Sequence, residues 1–183
     1  MPNLLPYRDY SEHDVINLYA CELEASKGTL VRPTISPSKN AIELTSNAPG
    51  GKYKNTLSDL FEVVGKVTPT VSYTDKALGI ILCDVQERDE NGEKIIFNPR
   101  KASEKNIVSP NIHSVPILTR GIILINDIDT SNHTIAGGGV PSIGDAAYVG
   151  DTGRIATDGT IKIGKFLSTL DTNGYVLVKI DFD

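Results

Sequence analysis

A glycine-rich stretch from residue 137 to residue 166 contains the spacing of a phosphate-binding loop. Such a loop needs G-x-x-x-x-G-K followed by Ser or Thr, between a strand and a helix, so that backbone N–H groups face the phosphates. Gly159 and Gly164 have this spacing and Lys165 follows, but Phe166 stands where the hydroxyl ligand to magnesium belongs. Because "KFLSTL" is typical of a strand and not of a helix, the sequence predicts no nucleotide site.

The segment "DIDTSNHTIAGG" could bind a cation through its carboxylates. It begins at Asp127 and has Asp129 at the third position, as in the calcium loop of an EF-hand. The sixth position is Asn132 instead of glycine, and the twelfth is Gly138 instead of glutamate. A solvated turn rich in Asp and Asn is therefore the favoured interpretation. A cation held by Asp127, Asp129 and carbonyl groups is the alternative.

Histidines and nucleophiles form no recognisable catalytic group in the sequence. The three histidines are His13, His113 and His133, and no two of them have H-x-H or H-x-x-x-H spacing. A zinc site would therefore have to be assembled entirely by the fold. Ser142 in "VPSIGD" lacks the G-x-S-x-G pattern and the strand-to-helix context of a nucleophilic serine. The sequence predicts a protein that is not an enzyme, with no catalytic residue, no metal and no cofactor.

Composition argues against two further classes of function. The net charge is −5 and the isoelectric point is about 5.2, whereas a nucleic-acid-binding domain normally presents a basic face. No apolar run approaches the roughly 18 residues that span a bilayer, and "MPNLLPYRDYSEHD" lacks the features of a secretory signal. Cys21 and Cys83 are the only cysteines, and the apolar context of Cys83 predicts a buried free thiol. We expect a chain that is made in a cytoplasm and binds neither nucleic acid nor membrane.

Most of the chain has the pattern of short β-strands separated by turn residues. The strand-like segments are "VINLYACEL", "GTLVRPT", "LFEVVGKVTPTVSY", "ALGIILCDV", "IIF", "SVPILTRGIILIND" and "GYVLVKIDF". "ALGIILCDV" is apolar on both faces, which predicts a central strand, and Gly121 in the sixth segment predicts a bulge or a close-packing point. In the last segment one face is predicted to carry Val176, Val178, Ile180 and Phe182. The one convincing helix is "NPRKASEKN", residues 98 to 106, with Asn98 as its cap and Pro99 at its first position. The sequence therefore predicts an all-β fold, a small antiparallel β-barrel or β-sandwich with one short helix.

Turn chemistry accounts for the glycines of the stretch from 137 to 166. "GDTG" at 150 to 153 joins "AAYV" to "RIAT", and Asp158-Gly159 lies between "RIAT" and "TIKI". Asp-Gly between two strands is a strong hairpin signal, because tight turns need a positive φ that glycine tolerates. The stretch is therefore predicted to form a β-meander.

Residues 1 to 14 are predicted to form an extended arm, ahead of a single β-rich domain at 15 to 183. Prolines in the arm oppose regular structure, and its apolar groups show no periodicity; these groups are Leu4, Leu5, Tyr7 and Tyr10. The four side chains either dock on a neighbouring molecule or pack back on their own domain. Inside the domain, the polar residues 35 to 56 predict a long loop or excursion.

The C-terminal half has a distinctive order of segments: "ILTRGIILI", then "PSIGDAAYVGDTGRIATDG", then "IGKFLSTLDTNGYVLVKIDF". This order is similar to the small capsid decoration (cement) proteins of tailed bacteriophages, in which a "GD-x-x-Y" step leads to a short hairpin, an "IG-x-x-L" strand and a closing "G-x-x-LVKI" strand. The segments "MPNLLPYRDYSEHDVINLYA" and "DENGEKIIFNPRKA" also resemble phage head proteins of this kind. The resemblance covers residues 1 to 20 and 78 to 183, and the polar segment at 35 to 56 has no clear equivalent in it.

The resemblance implies a virion structural protein on the capsid exterior. It would bind the major capsid protein and copies of itself, often as a homotrimer, and would stabilise the shell by bridging neighbouring capsid subunits. Leu4, Leu5, Tyr7 and Tyr10 would then anchor the arm on the capsid or on a neighbour, since buried apolar and aromatic groups dominate interface energies. Deleting residues 2 to 12 would abolish capsid binding and leave the domain folded.

Two other functions are compatible with the sequence. The first is a ring-forming β protein of the phage tail or neck. The second, from a different class, is a β-barrel enzyme or a ligand- or cation-binding module that uses the carboxylates around Asp127, Asp129 and Asp145.

Overall fold

The computed structural model describes residues 4–6, 10–34, 65–111, 113–134 and 139–182. The loop predicted at 35 to 56 and Tyr7 of the arm lie outside the described residues. Within the described residues most of the regular structure is β-strand, as the sequence predicts. The strands are β1 (Leu4–Pro6), β2 (Val15–Cys21), β3 (Leu30–Pro33), β4 (Gly65–Pro69), β5 (Gly79–Ile81), β6 (Asp84–Val85), β7 (Ile107–Val108), β8 (Ser114–Leu118), β9 (Arg120–Ile125), β10 (Ala146–Val149), β11 (Ile155–Ala156), β12 (Lys162–Phe166) and β13 (Val176–Asp181).

Helical structure in these parts of the chain is short. The predicted helix is confirmed as α1 (Pro99–Lys105), and the Asn98 side chain accepts a hydrogen bond from the Lys101 backbone N–H at 3.3 Å, as a cap should. Three-residue 3-10 segments lie at Glu12–Asp14, Ile95–Phe97 and Asp151–Gly153. Among the described helices, none has the length and apolar character needed to cross a membrane.

Five strands close into a barrel in the order β2-β4-β3-β5-β8. Neighbouring strands run antiparallel, except that β2 and β4 run parallel. All three residues of β5 are buried, which agrees with the central strand predicted from its continuous apolar sequence. The predicted all-β barrel fold is therefore confirmed, and in the described part of the chain α1 is its one α-helix.

Six further strands form an antiparallel sheet through five pairings, in the order β1-β9-β13-β12-β10-β11. In β13 the side chains of Val176, Val178 and Ile180 are fully buried and alternate with more exposed residues, as the sequence predicts. They belong to a cluster that also contains Leu30, Ile80 and Leu118 of the barrel. The sheet and the barrel therefore share one hydrophobic core.

The chain passes from the barrel to the sheet at Thr119. The sequence predicts one long strand from 114 to 127, but β8 ends at Leu118 and β9 begins at Arg120 in the other sheet. Gly121 has a φ of 155°, and a Cβ added to it would lie 3.0 Å from the ring of Tyr10. The predicted close-packing role of Gly121 is therefore confirmed.

The prediction of a returning strand at "IIF" is wrong, because Ile95–Phe97 forms a 3-10 turn. The chain does reverse at Asn91-Gly92, but strand pairing stops at a single bridge between Arg88 and Lys94. Because Pro99 begins α1 two residues after this turn, the chain coils into the helix before a strand can extend.

The glycine-rich stretch contains one of its two predicted hairpins. β10 and β11 pair antiparallel across Asp151–Gly153, as predicted from "GDTG". Asp158-Gly159 does not make a hairpin, because β10 lies between β11 and β12 and pairs with both. The stretch is therefore not a meander, and Asp158 has another task, described below.

Candidate functional site

The described part of the N-terminal arm lies on its own chain. Leu4 pairs with Ile125 across β1 and β9, and its side chain is only 2% exposed. Tyr10 packs against the same core and donates a hydrogen bond from its hydroxyl to the Ile122 carbonyl at 3.2 Å. Leu5 is 41% exposed, because successive side chains of a strand point to opposite faces. Leu4 is thus corrected from an interface anchor to a core residue, and Leu5 is the described apolar residue of the arm that a neighbour could contact.

Several large apolar side chains outside the arm are exposed. Phe97 is 82% exposed and the preceding Ile96 is 39% exposed, because the 3-10 turn buries only Ile95 of its three residues. Sequence reasoning missed both residues, since it assigned this segment to a strand. Both lie between the acidic turn "ERDENGE", residues 87 to 93, and α1.

A second exposed apolar group lies in the loop before β10. Val140 is 71% exposed and Ile143 is 73% exposed. The Asp145 carboxylate accepts a hydrogen bond from the Ser142 backbone N–H at 2.8 Å, and Gly144 has a φ of 93°. This tight turn directs Ile143 away from the core. Asp145 therefore closes a turn.

Asp129, His133 and Asp151, named here the Asp–His cluster, bring three titratable side chains together. His133 Nε2 lies 3.0 Å from Asp129 Oδ2, and His133 Nδ1 lies 3.9 Å from Asp151 Oδ2. The side chains of His133 and Asp129 are 6% and 4% exposed, whereas that of Asp151 is 45% exposed. The cluster is therefore a buried imidazole–carboxylate pair with a second carboxylate at its solvent edge.

Hydrogen bonds keep Asp129 ionised in this buried position. Burial alone would raise the pKa of its carboxyl group. Hydrogen bonds from Ser131, from the Asp151 backbone N–H and from His133 outweigh that effect and lower the pKa to about 2. Asp129 is therefore a carboxylate at neutral pH, and its charge faces His133.

The backbone around the Asp–His cluster is fixed by β11 and by Asp158. Asp129 donates its N–H to the Ile155 carbonyl at 2.9 Å and accepts from Thr157 at 3.1 Å. Asp158 accepts hydrogen bonds from the backbone N–H groups of His133 at 3.0 Å and Thr134 at 2.7 Å. Asp158 therefore anchors the loop that carries His133, which is its role in place of the predicted hairpin.

Tyr73 covers one face of the imidazole. The rings of Tyr73 and His133 are stacked with their centroids 4.9 Å apart and their planes at 22°. The Tyr73 backbone N–H donates to Asp151 Oδ1 at 2.9 Å. The loop that carries Tyr73 thus holds both His133 and Asp151.

Asp127 takes no part in the Asp–His cluster, although the sequence suggested it as the partner of Asp129. Its carboxylate lies 3.3 Å from Arg154 Nη1, and its φ is 59°. The second carboxylate comes instead from Asp151, which is 22 residues beyond Asp129. The spacing of Asp129 and Asp151 in the sequence does not indicate that they lie together, because it is β10 and the turn after it that bring them close.

Asp75 fixes the loop that carries Tyr73, and we expect Asp75→Asn to lower stability in a pH-dependent way. Asp75 accepts hydrogen bonds from the backbone N–H groups of Val71 at 2.8 Å and Ser72 at 3.1 Å, and it pairs with Arg32 at 3.0 Å. Burial opposes ionisation of its carboxyl group, but these contacts outweigh burial and lower its pKa. At pH 7 the variant should lose about 1–2 kcal/mol of unfolding free energy.

The pH dependence gives the check on this prediction. A carboxyl group with a lowered folded-state pKa stabilises the protein fully above its unfolded-state pKa of about 3.9, and this contribution is lost as the pH falls through the folded-state value. Urea unfolding of the wild type and of Asp75→Asn should therefore show a gap at pH 7 that shrinks at pH 3. An equal gap at both pH values would contradict the assigned role of the charge.

Both cysteines are buried free thiols, as predicted for Cys83. Burial is the main cause that raises the pKa of Cys21 to about 11 and that of Cys83 to about 12. Since the thiolate is the reactive form of cysteine, burial makes both thiols poor nucleophiles at neutral pH.

The fold and the site define an all-β protein in which a closed five-stranded barrel and a six-stranded antiparallel sheet share one core. No protein-family model and no curated protein matches this chain.

Proposed function

We propose that this chain is a virion structural protein that binds the outer surface of a tailed-phage capsid and stabilises the shell by bridging neighbouring capsid subunits. The observation that carries the proposal is the exposure of Phe97 and Ile143, at 82% and 73%. Each residue lies in one of the segments that resemble capsid decoration proteins, "DENGEKIIFNPRKA" and "PSIGDAAYVGDTGRIATDG". A large apolar side chain is poorly hydrated, so its exposure on the surface of a monomer is unfavourable, whereas its burial in an interface is favourable.

The six-stranded sheet holds these segments in a fixed position. The resembling segments of the C-terminal half form β9 to β13, five neighbouring strands of one sheet, and the fully buried Phe166 lies among them. Ile143 is presented from a turn hydrogen-bonded to this sheet, since the Gly144 N–H donates to the Phe166 carbonyl at 2.9 Å. A preformed apolar contact needs little ordering on binding, which suits a protein that docks many times on one lattice and gains by multivalency.

The experiment is a capsid co-sedimentation assay with expanded shells assembled from the major capsid protein of the same virus. We expect the wild type to pellet with the shells, and Phe97→Ser and Ile143→Ser each to lower the affinity about tenfold or more. This magnitude follows from the roughly 1.5–3 kcal/mol that burial of a large apolar side chain contributes, since 1.4 kcal/mol corresponds to a factor of ten.

Leu23→Ser is the matched control for these variants. Leu23 is 57% exposed and lies outside the resembling segments, so its variant should bind shells like the wild type. Light scattering should show a trimer of the free protein. A wild type that does not bind expanded shells would overturn the proposal, and so would a labelled copy that is found on the tail or neck of whole particles.

A further inference from the structure

The imidazole of His133 has an unusual environment within the Asp–His cluster. Its side chain is only 6% exposed, and each ring nitrogen faces a carboxylate oxygen, at 3.0 Å for Asp129 and 3.9 Å for Asp151. The first distance is that of an ordinary hydrogen bond, whereas the second is too long for one. Among the described residues, Nδ1 has no hydrogen-bond partner.

At these distances, the groups around Nδ1 would be stabilised by a positive charge. When Nε2 carries the proton that Asp129 accepts, a neutral imidazole has its lone pair on Nδ1. Asp151 Oδ2, which lies 3.9 Å from Nδ1, is also an acceptor. A positive charge close to both groups would stabilise them. A metal ion or a second proton on the imidazole can supply that charge.

We propose that the Asp–His cluster binds one divalent transition-metal ion of the zinc type, with His133 Nδ1 and the Asp151 carboxylate as its protein ligands. Asp129 would hold the imidazole through Nε2, in the carboxylate–histidine–metal arrangement that fixes the tautomer and raises the basicity of the ligand. One potential ligand atom from each of the three residues lies within 4.8 Å of the others. With Asp129 bonded to Nε2, water would fill the remaining positions on the ion.

The separation of the two proposed ligand atoms is close to that in a zinc site. Zinc lies about 2.0–2.2 Å from nitrogen and carboxylate ligands, so two ligands at a tetrahedral angle are about 3.4 Å apart. His133 Nδ1 and Asp151 Oδ2 are 3.9 Å apart, and a shift of about half an ångström would bring them to that separation. The Asp151 side chain is 45% exposed and can make this shift, while the buried His133 stays in place.

The ligand types select the class of metal. Imidazole with carboxylate suits zinc and its first-row neighbours, whereas calcium and magnesium prefer sites made entirely of oxygen ligands. A bound ion would link the loop of His133 to the β10–β11 turn at Asp151. Because Asp151 also accepts a hydrogen bond from the Tyr73 backbone N–H, the ion would link the loop of Tyr73 as well. This inference goes beyond the proposed capsid function and does not depend on it.

The test is direct metal binding to the full-length chain. Protein stripped with EDTA and dialysed at pH 7.5 is titrated with ZnCl₂ by calorimetry, and bound metal is counted by mass spectrometry after equilibrium dialysis. We expect one ion per chain, weaker binding of Ca²⁺ and Mg²⁺, and a Tm rise of about 5–10 °C at a free zinc concentration 100 times the Kd. With Co²⁺ in place of zinc, visible absorption bands should report ligation by nitrogen and oxygen.

Asp151→Asn and Asp145→Asn form the decisive pair of variants. Asparagine at 151 keeps an oxygen to accept from Tyr73 but removes the ligand charge, so zinc affinity should fall at least tenfold. Asp145 is an exposed carboxylate that closes a separate turn, so its variant should bind zinc like the wild type. His133→Gln should abolish zinc binding. If His133→Gln does not fold, the zinc affinity of Asp151→Asn decides whether the cluster is the site. Failure of the wild type to take up stoichiometric zinc, or equal uptake by Asp151→Asn, would overturn the proposal.

Discussion

Gly164→Ala is expected to lower the unfolding free energy by about 3 kcal/mol or more, which lies at or above the upper end of the usual cost of overpacking. A Cβ added at Gly164 would lie 2.0 Å from the Lys179 carbonyl oxygen and 3.0 Å from the Ile180 Cα. These are backbone atoms of β13, which is paired with β9 along its full length. The strand cannot retreat without breaking that pairing, so the clash must be relieved by opening β12 from β13.

Gly139→Ala is the matched control for this substitution. A Cβ added at Gly139 meets no atom of the described residues within 4 Å, so this variant should stay within about 0.5 kcal/mol of the wild type. Thermal unfolding followed by circular dichroism should show a fall in Tm of about 6–12 °C for Gly164→Ala, at 2–4 °C per kcal/mol for a chain of this size. A Gly164→Ala variant as stable as Gly139→Ala would show that β12 and β13 do not approach as closely as described.

The same contact explains why a phosphate-loop spacing occurs in this chain. Gly164 is needed where β12 crosses close to the backbone of β13, and Lys165 follows it with its side chain on the exposed face. Gly159 is also constrained by packing, since a Cβ there would lie 2.9 Å from the Tyr148 side chain. The spacing of the two glycines therefore reflects strand packing, which requires no phosphate.

Local sequence patterns were sufficient to predict a strand or helix whose buried face or cap is encoded in its own sequence. The alternation of Val176, Val178 and Ile180 identified both β13 and its buried face, and Asn98-Pro99 identified the start of α1. The switch of sheets at Thr119 could not be predicted in this way. Apolar, β-prone residues lie at 117–118 before Thr119 and at 122–125 after it, and only the positions of two different sheets determine where the strand divides.

The Asp–His cluster illustrates the same limit at the level of a site. Asp129 and His133 are four residues apart in one segment, but no regular helix or metal motif marks that spacing as meaningful. Their partner Asp151 comes from a turn that was recognised only for its backbone geometry. Turn residues are a poor guide to function in a sequence because Asp and Gly are selected there for conformation, and only the register of β10 with β11 shows where the Asp151 carboxylate lies.

Leu4→Ala is expected to lower the unfolding free energy by about 2–5 kcal/mol, the usual cost of removing a buried leucine side chain. Leu4 lies opposite Ile125 in the β1–β9 pair and belongs to the shared core. Because Leu4 is only 2% exposed, truncation of its side chain leaves a cavity in that core. A fall in Tm of about 5–15 °C would follow.

Leu5→Ala separates packing of the arm from docking of the arm. Leu5 has the same side chain one position along the strand but is 41% exposed, so its truncation should cost less than about 1 kcal/mol. Deletion of residues 2 to 12 cannot make this separation, because it would remove Leu4 from the core together with the exposed side chain. In the co-sedimentation assay a loss of shell binding by Leu5→Ala at unchanged Tm would assign the arm to the interface. Equal destabilisation by Leu4→Ala and Leu5→Ala would contradict the strand alternation on which both expectations rest.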